Sequence, residues 1–485
     1  MTTTVDSNWI SLIPPVVALI LAFTTRQVLL ALFAGIVAGG VVLLFQTGDF
    51  LASSLIDNFI LPALGSQAFA TILLVYLWSL GGIIGMWEKT GGTQYFAKRL
   101  GSKIVHSARG SMVFGWIVSM IFHQGGTVST VLTGTTVKPV ADQHRVSHEE
   151  LAYVIDSTAS PVATLIPLNA WPIYVGGLVV GIIPIIPTTG SAYNFFIKSI
   201  PYNFYAICTV TITLLFALGW MPWVGKKMAA ARTRARETGE LDGPDAKPLI
   251  LPSDEEDTIY PGYEPSFADF LLPITFLLFM TVTPFLLWRF GMIQQENANW
   301  INAAFLTAAC MSMLLAFVRG MPLDEILDGF SRGCRSMTLG AIIIGLAIAL
   351  GIVTNKVGTA EFLVHLTRDS ITPLALPAVL TILCMIVAFA TGTALGTYAV
   401  VFPIALPLAY SLNPDPFFIH VCFGAVLGGT VFGDQCSPIS DTTILSSMFT
   451  GCDLMDHVRT QMPLALFSAS MATLLSTGVL IFHGM

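Results

Sequence analysis

Apolar runs of about 20 residues recur along nearly the whole chain, the length an α-helix needs to cross the hydrocarbon core of a bilayer. Val16 to Phe23 lies inside the first run and Val28 to Phe45 forms the second. Later runs centre near Leu74, Val118, Leu214, Leu277, Leu314, Ile344, Ile382, Phe423 and Leu474. Only 11% of the 485 residues are charged, whereas a soluble domain carries about 25%. A soluble fold this poor in charge could not cover its surface. The chain is therefore expected to be an all-α polytopic membrane protein with about 11–13 transmembrane segments.

No basic residue precedes Arg26. The first run thus lacks the positive flank of a cleavable signal peptide and reads as a retained helix. The seven cysteines show no zinc or redox spacing, so they read as small packing residues and no resident cofactor is expected. The net charge of -7 arises largely in one acidic loop and gives no sign of a nucleic-acid partner.

Loop basicity sets the expected orientation, because Lys and Arg near helix ends stay cytoplasmic. Lys89, Lys98, Arg99, Lys103 and Arg109 form one cluster, and Lys226, Lys227, Arg232, Arg234 and Arg236 a second. Arg319, Arg332 and Arg335 form a third. These assignments put the N-terminus outside, in the periplasm of a bacterial inner membrane, and loop 225–265 in the cytoplasm. That loop is the one long polar linker. It opens basic, ends in Asp254-Glu255-Glu256-Asp257, and reads as a flexible, solvated connector.

Three short strings occur twice in the same order. Glu88-Lys89-Thr90-Gly91-Gly92-Thr93 pairs with Asn355-Lys356-Val357-Gly358-Thr359, and Gly126-Thr127 with Gly392-Thr393. Lys89 lies 37 residues before Gly126, and Lys356 lies 36 before Gly392. Ser160-Pro161 and Ser437-Pro438 complete the series. An odd number of crossings separates the first anchor from the second, which predicts two inverted repeats, with loop Lys356 to Asp369 outside. The expected layout is N-terminal helices over 1–67, a first repeat over 68–224, the linker 225–265, helices and a connector over 266–337, and a second repeat with a C-terminal helix over 338–485. Broken helices, and re-entrant hairpins that look the same in hydropathy, belong to this expectation.

Polar residues inside the apolar runs mark candidate sites. His123, Gln124, Thr127, Thr391, Thr393 and Thr397 lie in glycine-rich interruptions, where hydroxyls and freed carbonyls can bind a hard cation or a substrate. Asp156 lies two turns into a helix that starts at Ser147, with Ser147 and Glu150 spaced as a capping box. Ser157, Thr158 and Ser160 follow it, and Pro161 should break that helix. Asp434 and Asp441 flank a second Ser-Pro break, with Ser437, Ser440 and Thr442 as neutral oxygen ligands. A charged carboxylate at membrane depth costs about 2.5–3.5 kcal/mol or more, so such groups are paired, protonated or ion-bound. Asp156, Asp434 and Asp441 are therefore read as ion- and proton-coupling residues, with Na+ held by Asp434, Ser437, Asp441 and Asp156. His123 has the side chain best suited to proton exchange near neutrality, although a single structural hydrogen bond would equally explain it. His457, beside Asp453 and Asp456, reads as an exposed loop residue.

The string Gly433-Asp434-Gln435-Cys436-Ser437-Pro438-Ile439-Ser440-Asp441-Thr442-Thr443 resembles the NhaC family of Na+/H+ antiporters. So do Thr391-Gly392-Thr393 through Gly396-Thr397, the following Pro403 and Pro407, and Leu151 through Val162. The resemblance spans nearly the whole chain. It implies ion-gradient-driven transport, a scaffold and a moving transport region, and a homodimer as a frequent assembly. In similar sequences acidic residues follow the position of Phe122, where this chain has His123-Gln124-Gly125-Gly126. That departure leaves room for a neutral or zwitterionic solute.

The leading expectation is exchange of Na+ for protons. The alternative is a Na+-coupled symporter or exchanger of a small organic solute, a carboxylate such as malate or lactate or an amino acid, with its pocket around Phe122 to Thr130 and Trp171. A channel would need a continuous filter, and no repeated filter string is present. An enzyme is not expected, since neither H-E-x-x-H nor G-x-S-x-G occurs.

Overall fold

A computed structural model describes residues 8–25, 27–48, 54–92, 95–96, 105–123, 125–167, 169, 171–249, 259–294, 300–359, 362 and 372–484. Gln124, Thr93, the basic residues Lys98, Arg99 and Lys103, the acidic run Asp254 to Asp257, and Asp369 lie outside the described residues. Among the described residues the regular structure is entirely helical. This is the expected class, because only internally bonded helices satisfy the backbone of an isolated apolar segment in lipid.

The chain opens with α1 (Ile13–Thr25) and α2 (Val28–Thr47), followed by short α and π turns that lead into α3 (Trp78–Thr90). Next come α4 (Ala108–Ile121), α5 (Gly126–Gln143), α6 (His148–Leu165) and α7 (Trp171–Val179). Helices α8 (Thr189–Ser199) and α9 (Phe204–Ala217) form a pair bent by 51°. The linker contributes α10 (Lys226–Glu237). The chain continues through α11 (Phe267–Arg289), α12 (Ile301–Val318), α13 (Leu323–Ser336) and α14 (Thr338–Lys356). It ends with α15 (Leu376–Thr391), α16 (Ala394–Leu412), α17 (Pro416–Cys436), α18 (Asp441–Thr450) and α19 (Leu454–Phe482).

The repeated strings fall on equivalent structural events. The two anchors end α3 and α14, each followed by a left-handed glycine, Gly91 and Gly358. The glycine strings interrupt α4/α5 and α15/α16, again at left-handed glycines, Gly125 and Gly392. The Ser-Pro strings fall near the ends of α6 and α17, just before the interruptions that lead to α7 and α18. These interruptions also explain the crossing count. Among the described residues, four helices can each cross a membrane by length and composition, or six if each bent pair is one span, and the other apolar helices are shorter. The breaks cut several apolar runs into helices of 10–17 residues.

Small residues set the closest helix contacts. A Cβ built on Gly85 would lie 2.1 Å from the Gly329 carbonyl oxygen, so α3 and α13 touch backbone to backbone. Helix α17 is the most buried of the long apolar helices. A Cβ on Gly429 would lie 2.4 Å from Thr381 O, and one on Gly433 2.3 Å from Ala388 Cβ. Glycines four apart thus seat α17 against α15, as in other closely packed membrane helices. The end of α17 is fixed directly beside Asp434.

Two expectations are corrected here. Helix α6 runs through Pro161 to Leu165. The missing donor falls near its last turn, which is closed by Ile166 N to Val162 O at 2.9 Å and Thr164 Oγ1 to Pro161 O at 2.8 Å. The break comes after it, before Trp171. The described part of the linker is also docked, not a free connector. Arg232 and Arg236 meet the buried Glu150 at 2.7 and 3.1 Å, and Arg234 meets Glu149 at 2.9 Å. Three arginines on one short helix thus neutralise the acidic first turn of α6. The expected capping box of Ser147 and Glu150 is present beneath them.

Candidate ion-coupling site

The breaks converge. A Cβ built on Gly126, at the start of α5, would lie 2.3 Å from Ser160 Oγ on α6 and 2.6 Å from Thr442 Cγ2 on α18. One built on Gly392, at the other glycine break, would lie 2.6 Å from Ile439 O in the α17/α18 interruption. Ser437 Oγ donates to Phe389 O at 2.7 Å and ties that interruption to α15. Glycine is required at these points because any side chain would occupy space already filled by a neighbouring segment.

Two carboxylates bound this junction. Asp434, on the last turn of α17, accepts from Ser160 Oγ at 2.7 Å and from Ser440 Oγ at 2.9 Å. Asp441, the first residue of α18, accepts from Thr127 Oγ1 at 2.9 Å. Its place in the first turn of one helix, bonded to the first turn of another, sets it against two helix N-termini that favour negative charge. Thr442 and Thr443 donate to the Asp434 carbonyl at 3.2 and 3.0 Å, bridging the break with hydroxyls. Among the described residues no Lys, Arg or His forms an ion pair with either carboxylate.

Asp156 occupies a neighbouring but separate cluster. Its Oδ2 lies 2.9 Å from His457 Nε2 and 3.1 Å from Gln461 Nε2. His457 is fully buried, which corrects its reading as an exposed residue. Asp453 caps α19 one turn earlier by accepting from Met455 N and Asp456 N, so the helix carries His457 inward. Gln461 also donates to Gln435 O at 2.6 Å, and Gln435 donates to Ser157 Oγ at 2.8 Å. Tyr205 donates to Gln435 Oε1 at 2.7 Å. Among the described residues no group of three or more acidic, His or Cys side chains gathers as a metal centre. Asp156 therefore does not join Asp434 and Asp441 as a single cage.

The remaining sequence candidates have local partners. Thr158 bonds back to Val154 O at 2.6 Å, Thr391 to Val387 O at 2.9 Å and Thr397 to Thr393 O at 2.8 Å. Thr393 caps α16 through Gly396 N at 3.4 Å. Ser437 is held by Phe389 O, as above. His123 Nδ1 faces Met120 O and Ile121 O at 3.2 and 3.0 Å, within its own segment. These contacts shape the breaks and do not reach the carboxylates.

Sequence reasoning missed Asn169, Gln435, Tyr205, His457 and Gln461. Asn169 is buried between α6 and α7, and its Nδ2 donates to His123 O, Ala163 O and Ile166 O at 3.0, 2.8 and 2.8 Å. It fastens the α4/α5 break to the α6/α7 break. Pro167 and Pro172 flank it, a signal of an interrupted helix. His457 and Gln461 share the i, i+4 face of α19 that also buries Leu464 and Ser468, and that periodicity was their signal.

Residues 170–480 match the model of the Na+/H+ antiporter family. The chain belongs to that family. The matched span takes in Asp434, Asp441, His457 and Gln461. A family relative over almost the whole length is an uncharacterised Haemophilus influenzae protein, 27% identical over 98% of this chain and 91% of that protein. The Na(+)/H(+) antiporter NhaC of Alkalihalophilus pseudofirmus is 31% identical over 28% of each chain. The malate-2H(+)/Na(+)-lactate antiporter of Bacillus subtilis is 29% identical over 38% of this chain and 39% of that one. With these matches and its apolar helices, the antiporter-family chain is a multi-pass membrane transport protein.

Proposed function

We propose that this protein exchanges Na+ for protons across a bacterial inner membrane, with Asp434 and Asp441 as the cation ligands. One observation carries the reading: the buried Asp434 and the half-buried Asp441 flank a helix break, accept side-chain hydrogen bonds from hydroxyls, and have no cationic partner among the described residues. An anionic pair in an apolar interior is stabilised by an arriving cation or a proton. Ser160, Ser440 and Thr127 each keep oxygen lone pairs that could replace part of the ion's water shell. A carboxylate must lose its proton before it can bind Na+, so one pair of side chains couples the two flows. Asp156 adds a third ionisable group beside them. Rigid-body movement of one repeat against the other would expose the site to each side in turn.

The experiment is flux in proteoliposomes under an imposed Na+ gradient, with internal pH followed by a trapped dye. Na+-dependent proton movement without organic solute is expected, and Asp434→Asn and Asp441→Asn should each abolish it while the protein still inserts. Full activity in both variants would reject the site.

A second reading is Na+-coupled movement of a small organic solute. It is favoured by similarity to the malate-2H(+)/Na(+)-lactate antiporter. The pocket would lie at the α4/α5 break, where Trp171 meets the Tyr398 ring edge-on at 5.8 Å beside Gly125. Na+ flux that appears only when a carboxylate or amino acid is supplied would select this reading.

A further inference from the structure

Asp156 and His457 are not needed to surround a cation at Asp434 and Asp441, yet both are fully buried and lie 2.9 Å apart. Ser446 Oγ is 3.0 Å from the same His457 nitrogen and donates its own proton to Thr443 O at 3.0 Å. Nε2 therefore faces a carboxylate oxygen and a hydroxyl whose proton is already committed. The tautomer that suits both neighbours carries its hydrogen on Nε2. That leaves Nδ1 as a bare lone pair, and Nδ1 is buried with no hydrogen-bond partner. Asp156 Oδ1 and Gln461 Oε1, in the same cluster, are likewise buried and unpartnered. Burying three acceptors without donors is costly. A proton delivered to Nδ1 would turn the ring into a cation beside Asp156 and cancel the charge of that carboxylate.

The cluster also lies towards the linker. His457 is one turn into α19, whose capping Asp453 accepts from Lys247 N of the linker at 3.0 Å. Beyond it, Gln461 joins Asp156 to Gln435 O, the residue after Asp434.

We propose that Asp156 and His457 form a second proton-binding pair beside the cation site, through which protons weaken Na+ binding in addition to competing with it for Asp434 and Asp441. This deepens the Na+/H+ reading and rests on it. With no added proton the pair carries one negative charge, which strengthens the field that holds Na+ at Asp434 and Asp441. With Nδ1 protonated the pair is neutral and that support is gone. By linkage, bound Na+ lowers the pair's proton affinity by the same factor that a bound proton lowers the affinity for Na+.

Titratable or charged groups on the elements around His457 are few in kind. Helix α6 brings Tyr153 besides Asp156, with His148, Glu149 and Glu150 in its first turn, and α9 brings Tyr205 and Cys208. Helix α17 brings Asp434 and Cys436, α18 brings Asp441, and α15 brings Cys384. The arginines of α10 are engaged with Glu149 and Glu150, and the helix of His457 itself carries Asp456 and Arg459 and is capped by Asp453. Of these, His457 is the one group that becomes positive on gaining a proton within the buried cluster.

The test uses full-length protein in proteoliposomes and measures radioactive Na+/Na+ exchange as a function of pH, alongside Na+ uptake driven by a pH gradient. His457→Gln keeps an amide donor for Asp156 but cannot be protonated. It should retain Na+/Na+ exchange at about pH 8, lose about tenfold or more in gradient-driven uptake, and shift the pH midpoint of Na+ affinity by about one unit. The double variant Asp156→Asn/His457→Gln should keep only the pH dependence that direct competition at Asp434 and Asp441 supplies, shallower than that of the wild type. An unmoved pH midpoint in His457→Gln, or full pH dependence in the double variant, overturns the proposal. So does loss of Na+/Na+ exchange at alkaline pH in His457→Gln protein with a wild-type gel-filtration profile, because the ring would then belong to the cation site. Asp434→Asn separates the two readings. If it exchanges Na+ normally, the cation-site assignment fails, whatever His457 does.

Discussion

Ser160 on α6 donates its hydroxyl to Asp434 on α17 at 2.7 Å, and a glycine at the tip of α5 leaves room for that bond. The two residues are 274 positions apart, so this contact joins the two halves of the chain at the candidate site. A hydrogen bond to a charged group contributes about 1.5–3 kcal/mol. Ser160→Ala is expected to weaken Na+ half-saturation by about tenfold or more. Ser160→Thr, which keeps the hydroxyl, should weaken it less. Na+ dependence of flux in proteoliposomes measures both.

Gly126 admits no side chain without movement. Gly126→Ala would force Ser160 and Thr442 apart, and overpacking of this kind costs about 1–3 kcal/mol. The expected result is inserted protein with a lowered melting temperature and little transport. Gly181→Ala is the control for clash, since nothing lies within 4 Å of a Cβ built there. Its left-handed backbone still carries strain, so only its effect on transport is compared.

Asn169 shares the two N–H groups of its amide among three carbonyls within 3.0 Å. Asn169→Ala should leave them without that donor and loosen the α4/α5 break from the α6/α7 break. A loss of about 1–3 kcal/mol in stability is expected. Asn169→Asp should be at least as damaging, because a carboxylate offers those carbonyls no donor when ionised. Thermal melting in detergent, with and without Na+, reads both.

The linker clamp should depend on pH. His148 lies at the linker face between Asp242 at 2.7 Å and Asp142 at 3.2 Å. Burial alone would lower its pKa, but the bonds to Asp142 and Asp242 outweigh it and hold the imidazole above its usual value. Burial pushes Asp142 up, while His148 and Lys138 pull it further down, to a net lowering. The histidine contribution is therefore full below its unfolded pKa near 6.5 and fades as pH rises through the raised folded value. The Asp142 contribution is present above the unfolded carboxyl value and is lost as pH falls through the lowered one. Hydrogen-exchange protection over 226–247, corrected for the intrinsic pH dependence of amide exchange, should be greatest in mildly acid solution and fall in alkali. His148→Gln should remove that alkaline loss of protection. A profile identical to wild type would rule out this role for His148.

The sequence by itself determined the helical membrane class, through apolar runs too long and too poor in charge for a soluble surface. It also determined where the helices stop, because left-handed glycines and Ser-Pro strings act on the local backbone, as at Gly392 and Ser437. The carboxylates Asp434 and Asp441 were legible for the same reason, since charge within an apolar run stands out in one dimension. Tertiary structure decided what those residues touch. Ser160 meets Asp434, Thr127 meets Asp441 and His457 meets Asp156 only because helices distant in the chain pack at their breaks. Packing also reassigned residues whose local surroundings were misleading. Asp453 and Asp456 made the His457 segment look like a polar loop, whereas one caps a helix that turns His457 into the interior. Pro161 looked like a break, yet its missing donor falls where α6 was already ending. A hydrogen bond between segments hundreds of residues apart leaves no local pattern, so the partition into a cation site and a neighbouring Asp–His pair required the folded chain.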